Sequence, residues 1–477
     1  MKRILAIGAF ERDNFGDLLF LYVMRQLLSK QKVETVPASI IATNIESMNG
    51  EQILPYAALL KYDSFDGVYV VGGEVGAVDV AGGLMMDLSK TEHDLVLKNK
   101  ANLNEIVETY TGIPQDYERH AYIPELSKYP LNRHIPLILN SVGLSNIKNL
   151  SPTFSYNTIE LLKNATISVR EHESQQFLRE RSIASLLAPD IVHSIRLFRP
   201  KFKTNKRYVA FQIHTELIKN KNYSAKYIAS VLQTVAHETD ADIRLFLAGT
   251  AAFHDDEKLY QRIMREFKLL ETTYRINVTD SRDPLDLVDI ISGAVMWIGT
   301  SLHGRIIAAS YDVPRISLFN KKVSFYAETW DAEFPHGVIL EDVLEQIAKT
   351  QTVTPKHSAD ELAKKAKDNF TKLLRPILRD KTAPRQPFSA ANAFVATSKL
   401  YREQILSLID DKNSRISALE NQVAKLQREN KKFHDDAHYY EVQLRDITKS
   451  RAYQFGMFGS KAINLLRAPL DLIKPKK

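Results

Sequence analysis

The segment Gly299-Thr300-Ser301-Leu302-His303-Gly304-Arg305 gathers hydroxyl, imidazole and guanidinium groups within one turn of chain. An apolar strand pattern precedes it and a helical pattern follows. The turn therefore opens a helix, where unpaired backbone N–H groups and a partial positive charge suit phosphate or carboxylate. Gly299 and Gly304 would let a ligand approach the backbone. His303 is the one side chain here that titrates near neutrality, with a reference pKa of ~6.5, and Arg305 adds a fixed positive charge. With Thr300 and Ser301 they describe an anion site with an acid–base group beside it. The same spacing also fits a plain helix-capping turn that happens to carry a histidine.

Other residues fall into the same kind of choice. Asn14 and Asp17 lie at the first strand–helix turn, where a carboxylate could orient an acceptor hydroxyl or simply cap the helix. Gly72-Gly73 follows a strand and reads as a packing or pocket-floor element, since its flanks lack the P-loop pattern. Glu171 and Asp190 are candidate supporting carboxylates or surface ion-pair partners. His434 and His438 share a helix face but flank a hydrated seam, and His254-Asp255-Asp256 reads as a helix start. No metal or cofactor is expected.

The chain has 477 residues, 44% hydrophobic and 25% charged, enough for two to three domains with real cores. It contains no cysteine, which excludes disulfides, thiol nucleophiles and thiolate metal sites. A formal net charge of +7 favours anionic partners such as phosphorylated substrates, an acidic polymer or the inner face of a membrane. A basic surface with no specific partner fits equally. Zinc-finger spacing and RNA-binding aromatic motifs are missing, so no nucleic acid is expected. The N-terminal apolar run meets Glu11, Arg12 and Asp13 at once and reads as a buried strand rather than a secretion signal. No stretch reaches ~18 apolar residues, and the expected location is cytoplasmic.

The elements that must hold these residues alternate. Strands are expected at residues 4–10, 68–71, 136–142 and 165–169, with helices at 18–29 and 171–181. A charged stretch, residues 199–207, reads as a linker. Strands then follow at 208–213, 242–248, 294–298 and 315–317, and helices at 226–237, 255–267, 284–292 and 303–311. Short apolar strands alternating with helices imply parallel sheets covered on both faces. The fold class is α/β, two Rossmann-like domains with a cleft between them. The expected bounds of the two domains are residues 1–198 and 208–350.

A helical linker is expected at 358–400, its amphipathic helix stopping or kinking before Pro376. Over 401–448, Ile409, Ile416, Val423 and Asn430 fill one heptad core position. Ile405, Leu419, Leu426 and Phe433 fill the other, with Lys412 the flaw in the seam. That spacing predicts a coiled coil pairing two subunits, with Asn430 setting register; the helix packing back on the enzyme is the alternative. The tail, 449–477, mixes apolar and basic residues. It fits peripheral contact with the inner membrane face, a loose tail or a docking helix.

The run GTSLHGRIIAASYDVPRISL resembles the C-terminal signature of polysaccharide pyruvyl transferases. NFGD at Asn14–Asp17, SVREHES at Ser168–Ser174 and APDIV at Ala188–Val192 resemble three further elements of that family, in its order. The resemblance covers about residues 1–345. It implies a GT-B-like two-domain transferase that moves pyruvate from phosphoenolpyruvate onto a saccharide acceptor, a cell-surface polysaccharide or its lipid-linked precursor. It implies His303 as the acid–base residue and Arg170 as an anion-binding arginine. Arg305 is added from its placement, as a second such residue. Two departures stand out: Ser301 occupies a position where many members carry arginine, and Glu74 one where many carry a third glycine. A nucleotide-sugar glycosyltransferase on the same architecture, or a non-catalytic scaffold built on a decayed transferase, are the competing readings.

Overall fold

The computed structural model of the chain describes residues 1–45, 51–88, 90–98, 102–250, 255–379 and 389–449. It divides into two compact units, Met1–Gln404 and Ile405–Lys477. The first unit holds two sheets. Nine strands form the first: β1 Lys2–Ile7, β2 Val33–Ser39, β3 Thr43–Ile45, β4 Glu51–Pro55, β5 Gly67–Val70, β6 Gly73–Glu74, β7 Leu137–Gly143, β8 Thr166–Val169 and β9 Leu186–Leu187. Their order is β3-β4-β2-β1-β5-β7-β8-β9, with β6 on β7. Five make the second: β10 Tyr208–Gln212, β11 Asp242–Leu245, β12 Ile276–Val278, β13 Met296–Gly299 and β14 Arg315–Ser317, ordered β12-β11-β10-β13-β14.

Every ladder is parallel except β3–β4. β5, β7, β10 and β13 are buried along their whole length, as expected for strands covered on both faces. In each sheet the first strand lies between a neighbour on either side, β1 between β2 and β5, β10 between β11 and β13. The order of the chain reverses there, which opens a crevice outside the carboxyl ends. The turn after β1, the Gly72-Gly73 turn after β5 and the Gly299–His303 turn after β13 all leave such ends.

The two lobes meet at these turns. Asn14 forms a β-bridge with Gly249, and the Phe15 amide donates to the Ala248 carbonyl at 3.0 Å. Phe15 also meets Phe246 edge-on, centroids 6.3 Å apart. Side chains of both lobes, including Leu18, Leu19, Val192, Ile195, Leu287 and Ile306, share one apolar cluster.

Two expectations about the helices change. The helix at Ala359–Arg379 runs through Pro376. Proline costs it a backbone bond, but Leu373, Leu374 and Ile377 are fully buried, and a Cβ on Gly67 would overlap Ile377. That burial, on both sides of the proline, offsets the lost bond. Nor does this helix behave as a linker. It returns to the first sheet, where the Asn369 amide donates to Asn140 Oδ1 and Ser168 Oγ, both at 2.9 Å. Sequence periodicity also passed over β2, whose VETVPAS breaks its apolar run with Pro37. Proline is tolerated because β4 pairs only with Ala38 and Ser39 on that outer side.

From Ser389 to Lys449 the chain is one helix. Of the expected seam, Ile416, Leu419, Val423, Leu426, Phe433, Tyr440 and Leu444 are exposed on the single chain. Among the described residues no helix is long and apolar enough to cross a membrane. The Pro384–Pro387 break, His254 and the tail from residue 450 lie outside the described residues.

Candidate active site

His303 stands on the first turn of the helix Leu302–Ser310, capped by Ser301, whose Oγ accepts from the Gly304 amide at 3.2 Å. Thr300 is buried and clasps β10: its amide and hydroxyl both donate to Gln212 Oε1 at 3.1 Å. The Asn320 amide donates to the Thr300 carbonyl at 3.1 Å. Gly299 and Gly304 serve packing rather than ligand access. A Cβ on the first would fall 2.7 Å from the Gln212 carbonyl, and on the second 2.6 Å from the Trp297 ring.

The His303 ring crosses to the other lobe. It lies edge-on to Phe20 at 5.0 Å and to Phe15 at 6.4 Å. A Cβ on Gly16 would overlap the ring, so the glycine of NFGD makes room for the histidine. Asn14 caps the helix Phe15–Leu28 by accepting from the Gly16 amide at 3.1 Å. Asp17, in its first turn, is buried and lies 3.4 Å from Arg12 Nε. Gly72 and Gly73, with φ of 146° and 94°, turn the chain beneath Phe20 and beside Asp17. A Cβ on Gly72 would fall 2.5 Å from the Phe20 ring.

Arg170, at the end of β8, reaches the same place. Its Nη2 bonds Glu74 Oε2 at 3.0 Å, its Nε lies 3.4 Å from Glu171 Oε2, and its Nη1 lies 3.7 Å from Asp190 Oδ2. The same Asp190 oxygen lies 3.8 Å from His303 Nε2. Imidazole and guanidinium thus meet across one carboxylate. Among the described residues, three buried atoms that converge here have no hydrogen-bond partner: His303 Nε2, Asp190 Oδ2 and Arg170 Nε. Unsatisfied buried polar atoms are costly, and their convergence marks a place prepared for a polar ligand.

The helix Lys321–Trp330 spans the cluster. Trp330 Nε1 donates to the Arg170 carbonyl at 2.7 Å, and the Asp190 amide donates to Tyr326 Oη at 3.2 Å. Lys322 is one turn before Tyr326 on the same stripe. It reaches solvent, yet crowding by the surrounding protein, with the Arg170 charge second, lowers its pKa. Sequence reasoning missed Lys322, because nothing in Asn320-Lys321-Lys322 separates one lysine from the next until the helix is docked.

Burial dominates the electrostatics. It drives the His303 pKa well below its ordinary value, with Arg170 and Lys322 adding repulsion, so the imidazole is neutral at neutral pH. Burial raises Asp190 to about 6 against the opposing pull of Arg170, and it raises Glu171 and Asp17 as well. A neutral base thus faces a carboxyl able to hold a proton near physiological pH. Among the described residues no three or more His, Cys, Asp or Glu are grouped to hold a metal ion.

Arg305 does not join them. Fully buried, it gives Nε to Asp331 Oδ1 at 3.1 Å, Nη1 to Ser317 Oγ at 2.9 Å and the Pro335 carbonyl at 3.0 Å. Its Nη2 goes to the carbonyls of Asp331 and Phe334 at 3.0 and 3.1 Å. Every donor of its fork is taken, so it fastens the second lobe instead of offering charge to a ligand. The expectation that it is a second anion-binding arginine is corrected; Lys322 is the exposed cation beside Arg170, Glu74 and Asp17.

Solved structures similar to the chain include UDP-GlcNAc 2-epimerase from Methanocaldococcus jannaschii, at 12% identity and a TM-score of 0.45, covering 79% of this chain and 100% of that one. The Neisseria meningitidis UDP-GlcNAc 2-epimerase bound to UDP-GlcNAc gives 13% and 0.44 over 79% and 100%. A spinosyn rhamnosyltransferase gives 14% and 0.31 over 79% and 98%. A comparison with curated proteins gives no match. The family model for polysaccharide pyruvyl transferase matches residues 14–320, which takes in Asn14, Asp17, Arg170, Asp190 and His303, from both lobes. The chain is an enzyme of the polysaccharide pyruvyl transferase family.

Proposed function

We propose that this enzyme takes pyruvate from phosphoenolpyruvate and closes it as a ketal on two hydroxyls of a saccharide. The carrying observation is the convergence of His303 Nε2, Asp190 Oδ2 and Arg170 Nε as buried atoms without partners. Protonation of the donor's methylene carbon makes its enol carbon an oxocarbenium centre. One hydroxyl adds there and gives up its proton, phosphate leaves, and the second hydroxyl closes the ring with loss of its own proton. Of the two protons released, one replaces the proton consumed and the other leaves with phosphate.

Neutral His303 is suited to take the hydroxyl proton, and Asp190, at a pKa of about 6, to hold or return one. Such a pair contributes roughly 10²–10⁴-fold. Lys322 and Arg170 Nε would hold the donor's phosphate and carboxylate. Ser301 leaves the neighbouring position uncharged. Asp17, on the first lobe, would orient an acceptor hydroxyl.

Incubation with labelled phosphoenolpyruvate and saccharide acceptors, against a panel of sugar nucleotides, tests this reading. Product is expected from phosphoenolpyruvate only, with a His303→Ala loss of roughly 10²–10⁴-fold. Turnover with sugar nucleotides alone would make it a glycosyltransferase. Product formation undiminished in His303→Ala would remove the site.

The exposed heptad seam supports a parallel homodimer. In register, Arg415 and Glu420 occupy facing flank positions of opposite charge, and Asn430 meets its counterpart in the core. Polymer or lipid-linked repeat are both acceptors such an enzyme could meet, and the basic, apolar composition of 449–477 supports peripheral contact with an anionic inner membrane face.

A further inference from the structure

Away from the catalytic cluster, the first lobe carries a cavity of about 470 Å³ between the loop Ile113–Tyr129 and the helix Pro152–Leu162. Its size is that of a small-ligand site, typically ~300–1,000 Å³. We infer that this cavity docks a neutral stretch of the saccharide acceptor, beyond the residue that receives pyruvate. The inference rests on the saccharide-acceptor reading above.

The chemistry of the lining decides the class of ligand. Arg119 is its strongest cation, but the guanidinium is spent within the protein. Nε donates to the Pro114 carbonyl at 2.8 Å, Nη2 to Asp116 at 2.6 Å, and Nη1 to Tyr117 Oη at 2.6 Å and to Glu125. Among the described residues Lys128 is then the remaining cation of the lining; of its carboxylates Glu125 is paired with Arg119 and Glu160 with Lys163, which leaves Glu118 to balance Lys128. A phosphate or nucleotide would find no net positive charge to hold it. An acyl chain would strand the carboxylates, amides and tyrosine hydroxyls of the wall without water. A neutral polyhydroxylated ligand suits the half-buried Tyr117 and Tyr129 together with Asn157 and Asn164. Ring faces cover apolar sugar C–H surfaces while amides and carboxylates pair with hydroxyls.

Position supports the same reading. The loop that walls the cavity is pinned from within by His120, whose Nδ1 accepts from the Tyr122 and Ile123 amides at 3.1 Å. Tyr122 Oη donates to Glu11 at 2.5 Å, next in sequence to Arg12, the partner of Asp17. One loop thus faces the cavity on one side and braces the acceptor side of the reaction centre on the other.

The test is ligand-observed saturation-transfer NMR on the full chain, without donor, using malto-, cello- and galacto-oligosaccharides. Binding is expected in at least one series. It should weaken about tenfold in Asn157→Ala, which removes a single amide contact, and vanish in Asn164→Trp, a bulky side chain at an exposed rim position. His303→Ala should bind as the native chain does. Absence of binding in all three series, or binding that survives both cavity variants, would overturn the inference. If binding follows the cavity variants while phosphoenolpyruvate yields no product, the cavity stands and the donor assignment falls. If phosphoenolpyruvate turns over while the cavity variants bind normally, the cavity inference falls alone.

Discussion

Lys322 reaches solvent one helical turn before Tyr326, whose hydroxyl accepts from the Asp190 amide. On the reading proposed above, its ammonium is the cation left to meet an anionic donor. Lys322→Ala should raise KM for phosphoenolpyruvate at least tenfold, about 1.4 kcal/mol, while leaving Tm unchanged because little packing is lost. Steady-state kinetics with a thermal melt would check both. Asp190 gives a prediction of opposite character. Its folded pKa of about 6 exceeds the ordinary 3.8, so the folded protein binds this proton more tightly than the unfolded chain. The resulting stabilisation is present at low pH and lost as pH rises through about 6. Asp190→Asn removes that pH dependence. It should melt higher than the native chain near pH 8, by on the order of 1–3 kcal/mol, with the advantage gone near pH 4, and it should lose activity at both. For the native enzyme, donor affinity should fall as pH rises past about 6, because the ionised carboxylate repels the donor.

At the scale of elements, the site is a docking of two helix N-termini from different lobes. The Phe15–Leu28 helix presents Gly16 and Phe20, and the Leu302–Ser310 helix presents His303 against them. Gly16→Ala adds one carbon where the imidazole stands. We expect kcat to fall nearly as far as in His303→Ala, with both sheets intact by circular dichroism. Unchanged kcat would mean that the ring has room to move. The Lys321–Trp330 helix is the third such element, tying Arg170 and Asp190 of the first lobe to the second through Trp330 and Tyr326. Arg305 does for the second lobe what a core residue does elsewhere, since a buried guanidinium with all its donors placed fixes the strands and loops around it.

For the whole molecule, the unanswered surface is the exposed seam of the Ser389–Lys449 helix. Leu419→Asp together with Leu426→Asp places charge at two core positions of the proposed coiled coil, and light scattering should report monomers for the variant and dimers for the native chain. Turnover on small acceptors should persist, because every residue of the catalytic cluster comes from Met1–Gln404. Monomeric native protein would end the coiled-coil proposal without touching the chemistry.

Much of this was legible in the residues themselves. Apolar runs alternating with amphipathic ones require parallel sheets covered by helices, and the strands that position His303 and Arg170 fall within a residue or two of where periodicity sets them. The NFGD, SVR and GTSLH turns could be recognised because each ends a strand or opens a helix, and such local chemistry is written in consecutive residues. Partnership between distant side chains is not. Arg305 and Lys322 are both cations near one turn. Only the folded chain spends the first on Asp331, Ser317 and three carbonyls and leaves the second open. Likewise Gly16 and His303, 287 positions apart in the chain, acquire their relation only when the lobes meet. Local patterns follow from the period of the backbone, whereas burial, and with it the protonation of His303 and Asp190, depends on what the rest of the chain brings to the same few ångströms.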